Sequence, residues 1–273
     1  MGKEYVMSIE LPDGAKCVRT EISEESVKVI YTSEESTANV VEQTTQAAAN
    51  KADDIAPENQ TSTKLSIEDA FIWVDFTSIK KSDYQAERES DREEILRQNI
   101  LEAIENNRLK GLYVAILEPS VDDDDNIYFA MGADPGIGYS AVWWNNNATK
   151  FCPERKSRNL SFDEYFMILA HLIKNSDITW KEAAENSGMK GNFWNSPNSP
   201  HVMEKTGTRK CGEFYGFVGN TCKYVKDAKA TGYACMGGSF NRDGSCKPVA
   251  GAGSIFFPSC GYHYSVGWLV LEK

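Results

Sequence analysis

Apolar and polar positions fall into distinct blocks along this chain, and each block predicts an element. Near the N-terminus, Tyr5–Leu11, Cys17–Thr20 and Ser26–Thr32 are apolar-rich runs separated by turn residues, so residues 1–32 are predicted to form a small β segment. Large apolar side chains are almost absent from residues 33–64. Because such a stretch buries too little surface to offset its ordering entropy, we predict a polar acidic linker or a loosely held helix there.

Residues 65–273 carry the patterns of a larger α+β domain. Leu96, Ile100 and Ile104 recur at four-residue spacing, which predicts a helix over residues 83–107. Short apolar runs on either side predict strands. These runs are Phe71–Phe76, Leu112–Leu117, Ile127–Met131 and Ala141–Trp144.

Two capping boxes mark the next pair of helices. In each, a hydroxyl residue is followed three positions later by a glutamate, so that side chain and backbone can satisfy each other's hydrogen bonds. Ser161 and Glu164 begin a helix with an apolar face, and Thr179 and Glu182 begin a shorter one that Gly188 is predicted to end.

The last third of the chain alternates between apolar, glycine-marked segments and a polar interval rich in aromatic residues. The glycine-marked segments are Gly212–Asn220, Met236–Phe240 and Val266–Val270. Between the second and third lie mainly Gly, Ser, Asn, Asp, Cys, Tyr and His. This pattern predicts short strands connected by a long exposed loop, and the loop is the candidate functional surface.

Charge and length exclude several classes of protein. The 273 residues carry a net charge of −11, which disfavours nucleic-acid binding. Without an apolar run long enough to span a bilayer, we expect no membrane insertion. The N-terminus has no signal-peptide pattern. If the protein reaches a cell surface or a virion, we expect it to do so by assembly with other proteins.

The cysteines, histidines and aspartates do not predict a metal site. Seven cysteines, five of them in the last third, include no CxxC pair, and there are only three histidines, so a structural zinc site is not expected. The sequence leaves open whether two of the five clustered cysteines form a disulfide. The run Asp122–Asp125 is predicted to be a solvated turn rather than a calcium site, because consecutive aspartates point in alternating directions. We predict neither cofactor nor metal.

The motifs of the second half, taken in order, resemble one family. The two capping-box helices, the segment Gly216–Tyr224, the turn Gly237–Phe240 and the terminal Val266–Val270 are similar to the C-type-lectin-like fold of the formylglycine-generating, sulfatase-modifying type. The resemblance covers roughly the last half of the chain. It implies a C-type-lectin-like domain over residues 65–273.

One branch of this fold resembles the chain more than the enzymes do. The enzymes bind copper through two cysteines a few residues apart after the Gly-Gly-Ser turn, whereas here Cys246 is followed only by distant Cys260. Variable proteins of diversity-generating retroelements, which serve as phage tail-tip receptor-binding and surface proteins, place adenine-mutagenised codons between that turn and the terminal strand. The resemblance thus implies a variable region over about residues 236–268.

The residue types in this interval suit a binding patch. Tyrosine supplies rigid contact area, and Ser and Asn supply adaptable hydrogen bonds, as in an antibody paratope. The predicted ligand-binding residues are Asn241, Arg242, Asp243, Ser245, Phe256, Phe257, Ser259, Tyr262, His263, Tyr264 and Ser265.

The sequence therefore predicts a non-enzymatic protein, without catalytic residues, that binds a macromolecular receptor or surface ligand. Its N-terminal segment would attach it or form a homo-oligomer, which raises avidity. One alternative is a copper oxidoreductase acting on peptide cysteine, with Cys246 and Cys260 brought together by folding. Another is a structural virion protein with an invariant surface.

Overall fold

The computed structural model describes residues 16–22, 26–33, 36–44, 62–197, 199–226, 232–245, 248–251 and 264–273. The first three ranges are described by their backbone pairing. The chain divides into two compact units, Met1–Asn59 and Gln60–Lys273.

The first unit contains a three-stranded antiparallel sheet. Its strands are β1 (Lys16–Ile22), β2 (Ser26–Ser33) and β3 (Ser36–Thr44), in the order β1-β2-β3. The strands predicted at residues 17–20 and 26–32 are confirmed. The strand predicted at Tyr5–Leu11 lies outside the described residues.

The polar acidic linker or loosely held helix predicted over residues 33–64 is contradicted at Ser36–Thr44, which form β3, whereas residues 45–61 lie outside the described residues. This strand pairs with β2 along its whole length, with Val40 opposite Ile30 and Val41 opposite Val29. Pairing with the preceding strand satisfies the backbone hydrogen bonds of a segment whose polar composition had argued against order. At the other end of the range, Thr63–Lys64 forms the short strand β4.

The second unit is a mixed α+β domain. Its helices are α1 (Ile67–Ala70), α2 (Asp91–Asn106), α3 (Ala141–Phe151), α4 (Phe162–Lys174) and α5 (Trp180–Ala184). After β4, its strands are β5 (Phe71–Asp75), β6 (Gly111–Ala115), β7 (Ser120–Val121), β8 (Ile127–Tyr128), β9 (Ala130–Met131), β10 (Arg158–Asn159), β11 (Lys210–Cys211), β12 (Phe214–Tyr215), β13 (Cys222–Lys226), β14 (Tyr233–Met236), β15 (Ser265–Gly267) and β16 (Leu269–Leu271). Among these described helices, none is long and apolar enough to cross a bilayer.

Two sheets organise the domain. The four-stranded sheet has the order β10-β16-β6-β5, so the C-terminal strand pairs with the central strand β6. The three-stranded sheet has the order β14-β13-β15, with β13 and β15 parallel. Trp268 lies between β15 and β16, and its indole N–H donates to the Ala115 carbonyl on β6 at 3.0 Å. That tryptophan therefore joins the two sheets through the core.

Apolar packing around Trp268 reaches helix α4. The ring of Phe217 lies edge-on to Trp268 and is stacked on Tyr165 of α4, with centroids 4.9 Å apart for the second pair. All three side chains are buried. Aromatic side chains of this size contribute much of the burial energy of a core, so this stack fixes α4 against both sheets.

Both predicted capping boxes are confirmed. Ser161 accepts from the Glu164 N–H, and the Glu164 carboxylate accepts from the Ser161 N–H at 2.9 Å. Arg158 then holds Glu164 through two parallel hydrogen bonds of 2.7 and 2.6 Å. The start of α4 is therefore tied to β10. Thr179 and Glu182 repeat the box at α5.

Three other predictions need correction. Ala141–Trp144 is not a strand but the first turn of α3, because the Ser140 hydroxyl caps the Trp143 N–H at 3.1 Å and starts a helix. Helix α2 begins only at Asp91, where Ser90 caps it, and a separate 3₁₀ turn occupies Lys81–Tyr84. Helix α5 includes Ala183 and Ala184 as predicted, but it ends at Ala184 and not at Gly188.

The aspartate run forms the turn between β7 and β8, as predicted. Asp122 accepts hydrogen bonds from the backbone N–H groups of Asp124 and Asn126, at 3.1 and 2.8 Å. These bonds, above all the one from Asn126, lower the pKa of Asp122. Its carboxylate is thereby engaged in holding the turn together.

Replacing Ser161 by Ala tests the cap of α4. Loss of the hydroxyl leaves the Glu164 N–H without its acceptor, so we expect the free energy of unfolding to fall by about 1 kcal/mol. Urea denaturation of the full chain measures it. Ser82→Ala, at an exposed hydroxyl in the 3₁₀ turn, is the matched control and should change stability by less than about 0.5 kcal/mol. Equal effects of the two substitutions would contradict the capping role.

Candidate functional site

A buried carboxylate lies beneath the predicted binding region. Glu118 follows β6 and is only 1% exposed. Its Oε2 accepts from the Asn220 side-chain amide at 2.6 Å, and its Oε1 accepts from the Thr221 backbone N–H at 3.1 Å. The Thr221 hydroxyl donates to the same Oε1. A carboxylate removed from water is thus given polar partners by one short segment.

Lys223, on β13, supplies the opposite charge and is fully buried. Its ammonium nitrogen lies 3.6 Å from Glu118 Oε1. It donates to the backbone carbonyl of Gly219 at 2.7 Å, and also to those of Gly216 and Thr221. One side chain therefore gathers the carbonyls of the tight turns that precede β13.

Burial and charge pairing have opposite effects on the pKa values of Glu118 and Lys223. Removal from water raises the pKa of Glu118 and lowers the pKa of Lys223. In each case the charge of the partner opposes the shift. The two groups are therefore interdependent, and loss of either would leave a buried charge without its counter-charge.

Asn220 extends this network outward. Its backbone has a positive φ of 59°, a conformation that asparagine tolerates better than most residues. Its side-chain oxygen accepts from the Glu204 N–H at 2.8 Å and from the Asn192 side-chain amide at 3.1 Å. Its backbone carbonyl accepts from Phe240 at 3.0 Å. One residue thus holds the 192–204 loop and the turn after β14 together.

The turn after β14 begins with two glycines. Gly237 and Gly238 have φ values of 88° and 68°, a backbone conformation that glycine adopts without steric cost. The chain then turns again, since the Arg242 N–H donates to the Ser239 carbonyl at 3.0 Å. Within this turn Ser239 is buried, whereas Asn241 and Arg242 are exposed.

An exposed surface forms where this turn meets the 192–204 loop. The Trp194 N–H donates to the Arg242 carbonyl at 2.9 Å, and the Asn195 side chain accepts from the Gly244 N–H at 2.8 Å. The Trp194 ring lies against His201, with ring centroids 4.1 Å apart and an interplanar angle of 44°, and Phe240 contacts Tyr264 edge-on. We call this the Trp194–Tyr264 surface, and it consists of Trp194, His201, Phe240, Asn241, Arg242 and Tyr264.

Three of the predicted ligand-binding residues lie on this surface. Asn241 and Arg242 are exposed, and Tyr264 is 39% exposed. Asp243 and Ser245 are half-buried beside it, with the Asp243 carboxylate accepting from the backbone N–H and the hydroxyl of Ser245, at 2.7 and 2.6 Å. Their polar groups therefore stabilise the loop locally.

The prediction for Ser265 is wrong. This residue begins β15 and is fully buried, with its hydroxyl 3.3 Å from the Cys235 sulfur. It pairs with Cys222 in the parallel ladder, which places it inside the sheet rather than in the loop. The terminal strand thus starts earlier than the polar sequence around it had indicated.

The remaining predicted residues lie outside the described part of the chain. They are Phe256, Phe257, Ser259, Tyr262 and His263. Sequence reasoning left Trp194 open between the core and the rim of a binding patch, and it missed His201 as part of the surface. The signal for Trp194 was its position among Asn, Ser, Gly and Pro residues, where an aliphatic core is absent.

The described residues hold no group of three or more His, Cys, Asp or Glu side chains able to bind a metal ion. Four described cysteines, Cys152, Cys211, Cys222 and Cys235, are free thiols. Cys246 and Cys260, the pair required by the copper alternative, lie outside the described residues.

Comparison with protein-family models, with curated proteins and with solved structures found no match to this chain.

Replacing Lys223 by Met tests whether the buried ion pair supports the site. The substitution leaves Glu118 charged or forces it to take up a proton, and it removes the donor shared by three carbonyls. We therefore expect the free energy of unfolding to fall by about 3–5 kcal/mol, measured by urea denaturation.

Lys226→Met, at the exposed end of the same strand, is the matched control and should change stability by less than about 0.5 kcal/mol. A loss at Lys223 no larger than the loss at Lys226 would show that the ion pair carries little of the stability.

Proposed function

We propose that this protein is a non-enzymatic ligand-binding protein that uses the Trp194–Tyr264 surface to bind a macromolecular receptor. The observation that carries the proposal is the composition of that surface. Two aromatic rings, one imidazole, one guanidinium and one amide are exposed together, on loops anchored to a buried polar network.

These side chains have the chemistry of a protein-binding patch. Trp, Tyr and Arg are enriched among the residues that dominate binding energy, because each combines a large contact area with a polar group. Trp194 is 53% exposed although tryptophan is among the most strongly apolar side chains. Its contact with His201 holds the ring in place before a ligand arrives, which lowers the entropy lost on binding.

The exposed residues of this surface are anchored in a way that allows their side chains to be replaced. The polar side chains of the supporting network, Glu118, Asn220, Thr221 and Lys223, are buried. Asn241, Arg242 and Tyr264 are exposed, and none of the three donates or accepts a side-chain hydrogen bond within that network. Their replacement therefore leaves the supporting hydrogen bonds intact.

The arrangement of the glycine-marked motifs supports a C-type-lectin-like fold of the formylglycine-generating type. The Gly219 N–H donates to the Gly237 carbonyl at 2.8 Å, and Gly267 pairs with Tyr224 across β13 and β15. Motifs far apart in sequence thus meet at one sheet, beneath the surface. Within that fold we assign the chain to the variable proteins of diversity-generating retroelements, displayed on a virion or a cell surface.

The DNA around the gene tests this proposal. We expect a near-copy of the codons for residues 236–268 beside a reverse transcriptase gene, with differences mainly at adenines. The differences should fall on codons of exposed residues, including Asn241 and Tyr264. They should spare Gly237, Gly238 and Trp268, because the turn and the core require those residues.

The positions of the differences between the gene and its near-copy provide the control for this test. Differences spread equally over buried and exposed codons would indicate ordinary divergence of a duplicated gene. Absence of the repeat, or adenine differences concentrated on the codons of β14 and β15, would contradict diversification of this surface.

A further inference from the structure

Two thiols lie on one face of the sheet beneath the surface. Cys235 on β14 pairs with Tyr224 on β13, and Cys222 lies two residues before Tyr224. Because side chains alternate along a strand, Cys222 points to the same face as Tyr224 and is diagonal to Cys235. Ser265 of β15 pairs with Cys222 from the other side.

The two cysteines are diagonal neighbours on adjacent strands. The Cys235 thiol hydrogen-bonds to Cys222, and its sulfur is also 3.3 Å from the Ser265 hydroxyl. Access to them differs, because Cys222 is half-buried whereas Cys235 is only 3% exposed. Cys222 also lies next to the Trp194–Tyr264 surface, since its N–H donates to the Tyr264 carbonyl at 2.9 Å.

The surroundings favour a thiolate on Cys222. The hydrogen bond from Cys235 lowers the pKa of Cys222 to about 7, against the opposing effect of burial, and the positive charges of Lys223 and Arg242 act in the same direction as the hydrogen bond. Donating that bond raises the pKa of Cys235. By contrast, burial raises the pKa of Cys211 to about 12.

We propose that Cys222 and Cys235 form a thiol–disulfide exchange site, in which Cys222 attacks a disulfide and Cys235 resolves the product. An accessible thiolate beside a protonated, buried thiol has the division of roles that such exchange requires. The proposal does not depend on the binding function, because both thiols lie on the sheet and neither belongs to the Trp194–Tyr264 surface.

The co-reactant is a disulfide of the glutathione type. The Cys222 thiolate attacks one sulfur, forms a mixed disulfide and releases one thiolate, which takes up a proton. Cys235 then loses its proton and attacks the Cys222 sulfur, which releases the second thiolate. The two cysteines are oxidised by two electrons in total, and the added disulfide is reduced to two thiols.

Alkylation of the reduced full-length protein tests the first role. Iodoacetamide is added at a series of pH values, and peptide mass spectrometry follows each cysteine separately. We expect the rate at Cys222 to be half-maximal near pH 7, since the thiolate is the reactive form, and Cys211 to react at least about tenfold more slowly at that pH.

Cys235→Ala is the matched variant for this measurement. It removes the hydrogen bond that stabilises the Cys222 thiolate, so the midpoint at Cys222 should move to higher pH. An unchanged midpoint would overturn the interaction between the two thiols. So would a wild-type midpoint near that of an ordinary thiol, about 8.5.

Glutathione disulfide tests the second role. In the wild-type protein we expect an internal Cys222–Cys235 disulfide, with two glutathione molecules released per chain. Cys235→Ala should instead retain one glutathione on Cys222, and Cys222→Ser should leave Cys235 unmodified. Glutathione retained on Cys222 of the wild-type protein, or Cys222 joined to a cysteine other than Cys235, would overturn the proposal.

Discussion

The ion pair between Lys223 and Glu118 is the constraint on which the rest of the larger domain depends. Lys223 gathers the carbonyls of Gly216, Gly219 and Thr221, while Glu118 accepts from the segment that carries those same turns. Because both charges are buried, neither can be removed without leaving the other unpaired. The turns before β13 are therefore fixed, and through Asn220 they fix the two loops that form the exposed surface.

This arrangement separates the groups that hold the loops in place from the groups that are exposed to solvent. Hydrogen bonds that hold the loops run through buried side chains and backbone groups, whereas the exposed groups of Trp194, Arg242 and Tyr264 remain available for contact. The proposed diversification of the surface requires such a separation, since most substitutions in a packed core are destabilising. The thiols of Cys222 and Cys235 lie between these two regions, on the sheet that supports the surface.

Local signals in the sequence predicted local structure well. The Ser161–Glu164 box and the strands β5 and β6 were predictable because a cap or an apolar run depends on few neighbours. Predictions failed where pairing with another strand decides the outcome. β3 is ordered by pairing with β2, and Ser265 is buried by the parallel ladder with β13. Lysine side chains are usually exposed to solvent, so the sequence alone predicts an exposed Lys223. Its burial is explained only by the position of Glu118, which is distant in sequence.

A saturation scan of stability tests the central claim most directly. Every substitution of the full chain would be ranked by resistance to protease, which reports the population of unfolded chains. The account predicts that Asn241, Arg242 and Tyr264 accept most residue types, whereas Glu118 and Lys223 accept almost none. Tolerance at Lys223 equal to that at Arg242, or intolerance at all three surface positions, would contradict a variable surface carried by a buried polar network.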